Sequence, residues 1–253
     1  MLRAFRLALS FLSILPAGLK DEVDDRTIRG SVVFFPVVGA IIGIILLAIG
    51  WLAKNILEPL ALSAVIVVAL AVLTRGLHLD GLADTFDGLF GGTGKECILD
   101  IMKDSRIGSF GVVAIVAVLL LKAVILAQIL GQSTWLAVLA LVVFPVIGRW
   151  SACVSLGTQR YARGSGGLGE SFTRLSDTRV VIATSIITLV VVGSLLLLWT
   201  VPVMLSALAL TLAFNVMVGR KIGGITGDTV GAIVEINEVA ALLVMAIIAL
   251  VAK

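Results

Sequence analysis

Seven apolar runs dominate the sequence, and each is about as long as the hydrocarbon core of a bilayer is thick. A transmembrane α-helix needs about 20 apolar residues, because it rises about 1.5 Å per residue. Only 14% of the residues are charged, against about a quarter in soluble domains. The sequence therefore predicts an all-α, polytopic membrane protein with about seven transmembrane helices. The predicted spans are residues 31–53, 59–79, 109–131, 133–156, 178–199, 202–219 and 229–252.

The residues around these runs complete the predicted architecture. In the first segment, MLRAFRLALSFLSILPAGL, a narrow polar stripe predicts an N-terminal helix lying in the membrane interface, and a secretory signal peptide is the alternative. Residues 180–219 are too long for one span, and Pro202 near their middle predicts a turn. No extra-membrane domain is visible, so we expect a single integral membrane domain over residues 1–253.

Basic residues indicate the orientation. If the N-terminus is cytoplasmic, all of the 19 basic residues except Lys54, Lys122 and Lys253 lie at or near the cytoplasmic ends of the spans. This distribution satisfies the positive-inside rule. We therefore expect a multi-pass protein of the cell membrane with a cytoplasmic N-terminus. The net charge of +3 reflects this topology and indicates no nucleic-acid partner. Of the 16 acidic residues only Glu58 lies outside, which orientation alone does not explain.

The stretch HLDGLADTFDG directly follows the second span. If that span continues as a helix, Asp80, Asp84 and Asp87 share one face, within an arc of roughly 80°. Carboxylates on one face repel unless a cation joins them, and Mg²⁺ prefers oxygen ligands. The alternative is a solvated acidic turn, which the neighbouring glycines favour because they weaken a helix. This stretch alone does not decide between the two.

Two further segments favour the metal site. ECILDIMKDSRIGSFG places Lys103 and Arg106 beside Asp104, so groups that bind phosphate adjoin a metal-binding carboxylate. GRKIGGITGDTVGAIVEINE places Asp228 and Glu235 seven residues apart, on one helical face. Three segments on one side of the membrane thus carry the same chemistry. They predict a site that binds a metal and a diphosphate.

Other residues have weaker signals. His78 lies opposite the aspartates on the extrapolated helix, so a hydrogen bond is expected rather than metal ligation. Arg149 either snorkels to the membrane surface or binds phosphate. Lys122 lies deep in the third span, where snorkelling or helix pairing is expected. The loop RYARGSGGLGES, residues 160–171, is either a phosphate-binding nest or a flexible connection.

Several motifs together resemble one enzyme family, the cobalamin synthases or adenosylcobinamide-GDP ribazoletransferases. The resemblance covers residues 4–240 and matches the glycine-rich residues 164–167 least well. The motifs that carry it are HLDGLADTFDG (78–88), IMKDSRIGSFG (101–111), TGDTVGAIVEINE (226–238), RGSVVFFPVVG (29–39) and, in part, YARGSGGLG.

The resemblance implies a membrane enzyme of cobalamin biosynthesis. Such an enzyme joins adenosylcobinamide-GDP to α-ribazole or its 5′-phosphate, releases GMP and requires Mg²⁺. On this basis we expect Asp80, Asp84 and Asp104 to bind Mg²⁺. Asp87 is the expected general base, and His78 and Asp104 join it in the catalytic set. The expected substrate-binding residues are Lys103, Arg106, Arg149, Asp228 and Glu235.

Two other functions fit the pattern less well. A Mg²⁺-dependent CDP-alcohol phosphotransferase, acting on phospholipid head groups, would share the metal site. An ion-coupled transporter would bury acids near the bilayer midplane. The acids here cluster at one surface and only Lys122 is central, which counts against transport. The expected partners are the two substrates and the lipid bilayer, and the oligomeric state is left open.

Overall fold

The computed structural model describes residues 1–18, 23–132, 134–163 and 168–251. The central part of the glycine-rich loop, where a phosphate nest was predicted, lies outside these ranges. Twelve α-helices and one 3₁₀ turn make up the described chain, with a single isolated β-bridge and no strand. The helices are α1 Leu2–Leu12, α2 Asp25–Val32, α3 Phe35–Ala53, α4 Pro59–Leu73, α5 Leu77–Gly91, α6 Lys95–Ile101, α7 Ser109–Gln132, α8 Thr134–Thr158, α9 Leu168–Leu175, α10 Thr178–Leu196, α11 Thr200–Ile222 and α12 Gly227–Val251.

Five segments of the described chain are long and apolar enough to cross a membrane. They are Phe35–Ala53, Ser109–Gln132, Trp135–Thr158, Thr178–Ile222 and Gly227–Val251. The pair α4 and α5 forms a sixth candidate, although it is bent by 89°. The prediction of an all-α polytopic membrane protein is confirmed.

The 45-residue segment Thr178–Ile222 crosses twice. Near its start, Val181 packs against Gly157 of α8. Near its end, Gly219 lies beside Gln159, which directly follows α8. Since both ends meet the same end of α8, the chain must double back. The helices α10 and α11 are therefore two crossings.

The turn between α10 and α11 differs slightly in position from the prediction. It is the 3₁₀ turn Leu197–Trp199, where Leu197 adopts a positive φ of 51°. Pro202 lies in the first turn of α11 instead. A proline is tolerated there because the first N–H groups of a helix have no partner within it. The prediction of two helices is confirmed, but Pro202 does not form the break.

A second break separates α4 from α5. A continuous helix from the second span through HLDGLADTFDG was one of two alternatives, and the chain instead bends by 89° between α4 and α5. Arg75 and Gly76 both adopt positive φ, 56° and 67°, which ends α4 and redirects the chain. At its other end α4 meets α7, where Pro59 lies next to Gly131. The helix α4 thus runs along α7, and α5 turns across the ends of α7 and α12.

Helix α1 packs onto the same end of the bundle as α5. Its buried face contacts α2 and α3. Phe11 stacks on Phe35 of α3 and on Phe172 of α9. Arg75 donates to the carbonyl of Ser10 at 2.7 Å, which ties α1 to the break after α4. We call this end of the bundle, with α1, α2, α5, α6 and α9, the site face.

Candidate active site

Three acids from two helices meet at the site face. Asp80 and Asp84 lie on α5, and Asp228 lies in the first turn of α12. The two helices touch closely, since a Cβ added to Gly81 would lie 2.7 Å from the carbonyl oxygen of Asp228. Burial, followed by repulsion from Asp228 and Asp80, raises the pKa of Asp84 to about 7. The trio therefore holds more negative charge than its surroundings neutralise.

The donor set fits a hard divalent cation. Mg²⁺ in proteins is usually held by one or two carboxylates together with substrate phosphates. Among the described residues, no group of three His, Cys, Asp or Glu side chains is arranged as a ready metal cage. The trio thus suits a cation that binds together with a phosphate-bearing substrate. In that arrangement the protein supplies only two carboxylates as ligands.

Arg163, which the sequence placed in the candidate phosphate-binding loop 160–171, pairs with an acid of the trio. Its Nη2 atom lies 2.7 Å from Asp228 Oδ2. Two backbone hydrogen bonds place it there, from Ala162 N to Ile225 O and from Ile225 N to Arg160 O, each 2.8 Å. The pairing joins segments about 60 residues apart, so no local motif could reveal it.

Asp87 lies apart from the acidic trio. Its Oδ2 accepts a hydrogen bond from Gly108 N at 2.7 Å and its Oδ1 accepts one from Gly111 N at 2.9 Å. Both donors belong to the start of α7, and the side chain is buried. A carboxylate that satisfies helix N–H groups in this way is a cap. The structure thus gives Asp87 a positioning contact rather than an open oxygen for a base.

In the segment with Asp104, the carboxylate is paired with a neighbouring arginine. Arg106 binds both carboxylate oxygens of Asp104, through Nη2 at 2.6 Å and Nε at 3.0 and 3.1 Å. This pairing lowers the pKa of Asp104 to about 2. The side chain of Arg106 is 86% exposed, and Lys103 is exposed as well. Among the described residues, none of these three side chains forms a hydrogen bond or ion pair with Asp80 or Asp84, although the Met102 carbonyl next to Lys103 accepts a hydrogen bond from Arg163.

A cluster of charges lies inside the bundle. Lys122 of α7 binds Glu235 of α12 at 2.6 Å and also binds Glu238. Arg149 of α8 binds the other oxygen of Glu238, and all four side chains are buried. Arg149 Nη2 also lies 3.5 Å from His78 Nδ1 on α5. Lys122, Arg149, Glu235 and Glu238 form what we call the interior cluster, so Lys122 is not the only charge within the spans.

A cavity of about 230 Å³ lies beside His78, Asp80 and Asp228. His78 and the acids Asp80 and Asp228 line it on one side. Helices α1, α3, α8 and α9 supply the other, apolar side, with Phe11, Leu12, Phe35, Ala152, Leu156 and Phe172. The cavity could hold the apolar part of a substrate while a charged part lies at the carboxylates.

Comparisons with known proteins identify the family of this chain. The family model CobS, described as cobalamin-5-phosphate synthase, matches residues 4–246. Relatives named adenosylcobinamide-GDP ribazoletransferase include one from Roseiflexus sp. (strain RS-1), 42% identical over 93% of this chain and 86% of the relative. Another, from Fusobacterium nucleatum, is 38% identical over 94% of each chain. No solved structure matches. With a match of this length, the chain belongs to the cobalamin-5-phosphate synthase family.

Proposed function

We propose that this chain joins adenosylcobinamide-GDP to α-ribazole or α-ribazole 5′-phosphate and releases GMP. A ribazole hydroxyl attacks the phosphorus on the corrinoid side of the diphosphate. A new P–O bond forms there, the bond from that phosphorus to the bridging oxygen breaks, and GMP leaves with that oxygen. The observation that carries the proposal is the acidic trio beside a half-apolar cavity, in a chain of this family.

We assign Asp80 and Asp228 as the carboxylates that hold Mg²⁺, because both line the cavity. Asp228 takes the place that we expected for Asp104. When bound, Mg²⁺ would neutralise charge on the diphosphate. Arg163 holds Asp228 in position through its 2.7 Å ion pair.

We assign Asp84, which was predicted from the sequence to be a metal ligand, as the proton acceptor. Burial, the largest cause, raises its pKa and makes its carboxylate a stronger base than an exposed one. It is half-buried within the trio, so it can take the hydroxyl proton as the new P–O bond forms. Asp87, the base predicted from the sequence, instead holds the start of α7 against α5.

We assign His78 as a hydrogen-bond donor rather than as a base. The guanidinium of Arg149 faces its Nδ1, and a guanidinium only donates hydrogen bonds. The proton of the neutral ring is therefore on Nε2. We assign the Nε2–H group as a donor to a substrate oxygen in the cavity that His78 lines. Glu238 binds Arg149, and Lys122 binds Glu238. Both residues therefore help to hold the Arg149 guanidinium against His78.

We propose that the site face is cytoplasmic. The basic residues concentrate at this end of the spans, and Lys54, between α3 and α4, lies at the opposite end. Nucleotide substrates and GMP would then meet the site in the compartment that holds nucleotides.

The reaction itself is the first test. Purified protein with Mg²⁺ should release GMP from adenosylcobinamide-GDP only when α-ribazole or its phosphate is present. Removing divalent cations with EDTA should stop the release, and added Mg²⁺ should restore it. A phospholipid head-group transferase would instead release CMP from a CDP-alcohol. CMP release without GMP release would refute the proposal.

The roles of Asp80 and Asp84 can be separated by kinetics. Asp80→Asn should raise the Mg²⁺ concentration for half-maximal activity at least ten-fold, because it removes a ligand charge. Asp84→Asn should lower kcat by about 10²–10⁴-fold even at saturating Mg²⁺, the usual contribution of a general base. Asp100→Asn, an exposed acid on α6, is the control and should match wild type. An Mg²⁺ requirement that rises only in Asp84→Asn would reverse the two assignments.

Arginine substitutions test the geometry around Asp228. Arg163→Lys should lower activity at least ten-fold, since a lysine cannot reproduce the contacts of Arg163 with Asp228 and the Met102 carbonyl. Arg106→Lys keeps the charge of an exposed side chain that binds only Asp104 among the described residues, and should change activity less than two-fold. The GMP-release assay measures both. A strong loss of activity in Arg106→Lys with none in Arg163→Lys would mean that the loop with Asp104 contacts the phosphate.

Reporter fusions test the orientation. A reporter fused after Gly94, between α5 and α6, should be cytoplasmic. One fused after Gly131, near the end of α7, should be external, because α7 crosses the membrane once. Cytoplasmic signals from both fusions would contradict the crossing of α7, and exchanged signals would invert the orientation.

A further inference from the structure

A second hollow opens on the site face, on the far side of α1 from the cavity. Its volume is about 730 Å³. It lies between the start of α1, the start of α2 and the first turn of α10. The cavity, by contrast, contacts the end of α1 through Phe11 and Leu12. The two spaces share no lining residue, so the hollow is separate from the proposed active site.

Arginines dominate the lining of this hollow. Arg3, Arg26, Arg29 and Arg179 come from three different helices, and Asp24 is the acid among them. Asp24 accepts a hydrogen bond from Thr27 N and caps α2. Arg29 pairs with Asp177 at 2.5 Å. The side chains of Arg26 and Arg179 are exposed and form no hydrogen bond or ion pair among the described residues, so both can contact an anion.

The position of the hollow is that of a phospholipid head group. Arg179 is the second residue of α10, where a span begins, so it lies at the boundary of the hydrocarbon core. Apolar residues border the arginines: Met1 is 94% exposed and Leu2 69%, and Val33 and Val180 also line the hollow. Exposed apolar side chains beside a basic hollow at this depth suit acyl chains beside an anionic head group.

We propose that this hollow binds the head group of an anionic phospholipid, such as phosphatidylglycerol. The arginines contact the phosphate, and the acyl chains lie along Met1, Leu2 and the start of α10. A basic pocket between helices at a membrane surface is the usual form of such a site. A free phosphate would use the same arginines but would gain nothing from the apolar border. The proposal does not depend on the proposed enzyme activity.

The bound lipid would connect α1, which forms part of the cavity wall, to α2 and α10. Its head group would contact α1, α2 and α10 at once, and α1 carries Phe11 and Leu12 to the cavity wall. At present these three helices meet at this end mainly through apolar contacts and the Arg29–Asp177 pair. Anionic lipid would therefore stabilise this part of the cavity wall.

Lipid binding can be measured by native mass spectrometry of the full-length protein in detergent. The protein is titrated with dioleoyl-phosphatidylglycerol, with dioleoyl-phosphatidylcholine and with inorganic phosphate. The variant Arg26→Gln/Arg179→Gln removes two exposed arginines of the hollow. The control Lys95→Gln/Arg220→Gln removes two exposed basic residues of the site face outside it. Thermal unfolding of each variant checks that it is folded.

We expect wild type and the control to bind phosphatidylglycerol in preference to phosphatidylcholine. A basic residue near an anionic surface contributes about 1 kcal/mol, roughly five-fold in affinity, so the double arginine variant should bind phosphatidylglycerol roughly 25-fold more weakly. Equal affinity in the two double variants would overturn the proposal. Equal binding of the two lipids by wild type would also overturn it. Displacement of phosphatidylglycerol by millimolar phosphate would show a free-anion site instead.

Discussion

The arrangement of the site depends on the interior cluster, four charges that neutralise one another inside the bundle. Lys122 and Arg149 supply two positive charges, and Glu235 and Glu238 supply two negative ones. Removing one member of such a buried pair costs about 3–5 kcal/mol, because a charge is left without its partner. The cluster joins α7, α8 and α12, which come from distant parts of the chain. These three helices can therefore pack in only one register, and that register places the start of α12 at the site face.

One face of α12 links the interior cluster to the active site. At about 100° per residue, Asp228, Glu235 and Glu238 fall within an arc of roughly 80°. Gly231 lies on the same side, where an added Cβ would be 3.3 Å from the backbone of His78. The same helical face thus holds the interior cluster, the close approach of α5 and an acid of the trio. A small rotation of α12 would disturb all three.

The sequence revealed the crossings and the acids because these signals are local. Apolar runs predict spans, and the pair Asp80 and Asp84 is four residues apart. Asp87 fits the same periodicity, yet its partner is the start of α7, which only the tertiary fold brings near. The partners of Lys122 are more than 100 residues away along the chain. The expectation that Lys122 alone is central failed for this reason, because the fold joins it to Glu235 and Glu238 inside the bundle.

The bend after α4 explains how the acids of α5 come to lie in a partly buried site. A straight helix would have carried Asp84 roughly 15 Å past the end of α4, into water, at about 1.5 Å per residue. There, three carboxylates would be solvated and weakly coupled. The positive φ of Arg75 and Gly76 instead lays α5 across the ends of α7 and α12. Asp84 becomes half-buried, its carboxylate interacts with Asp228, and water is partly excluded. Electrostatic interactions strengthen in such surroundings, and this is where a diphosphate most needs them.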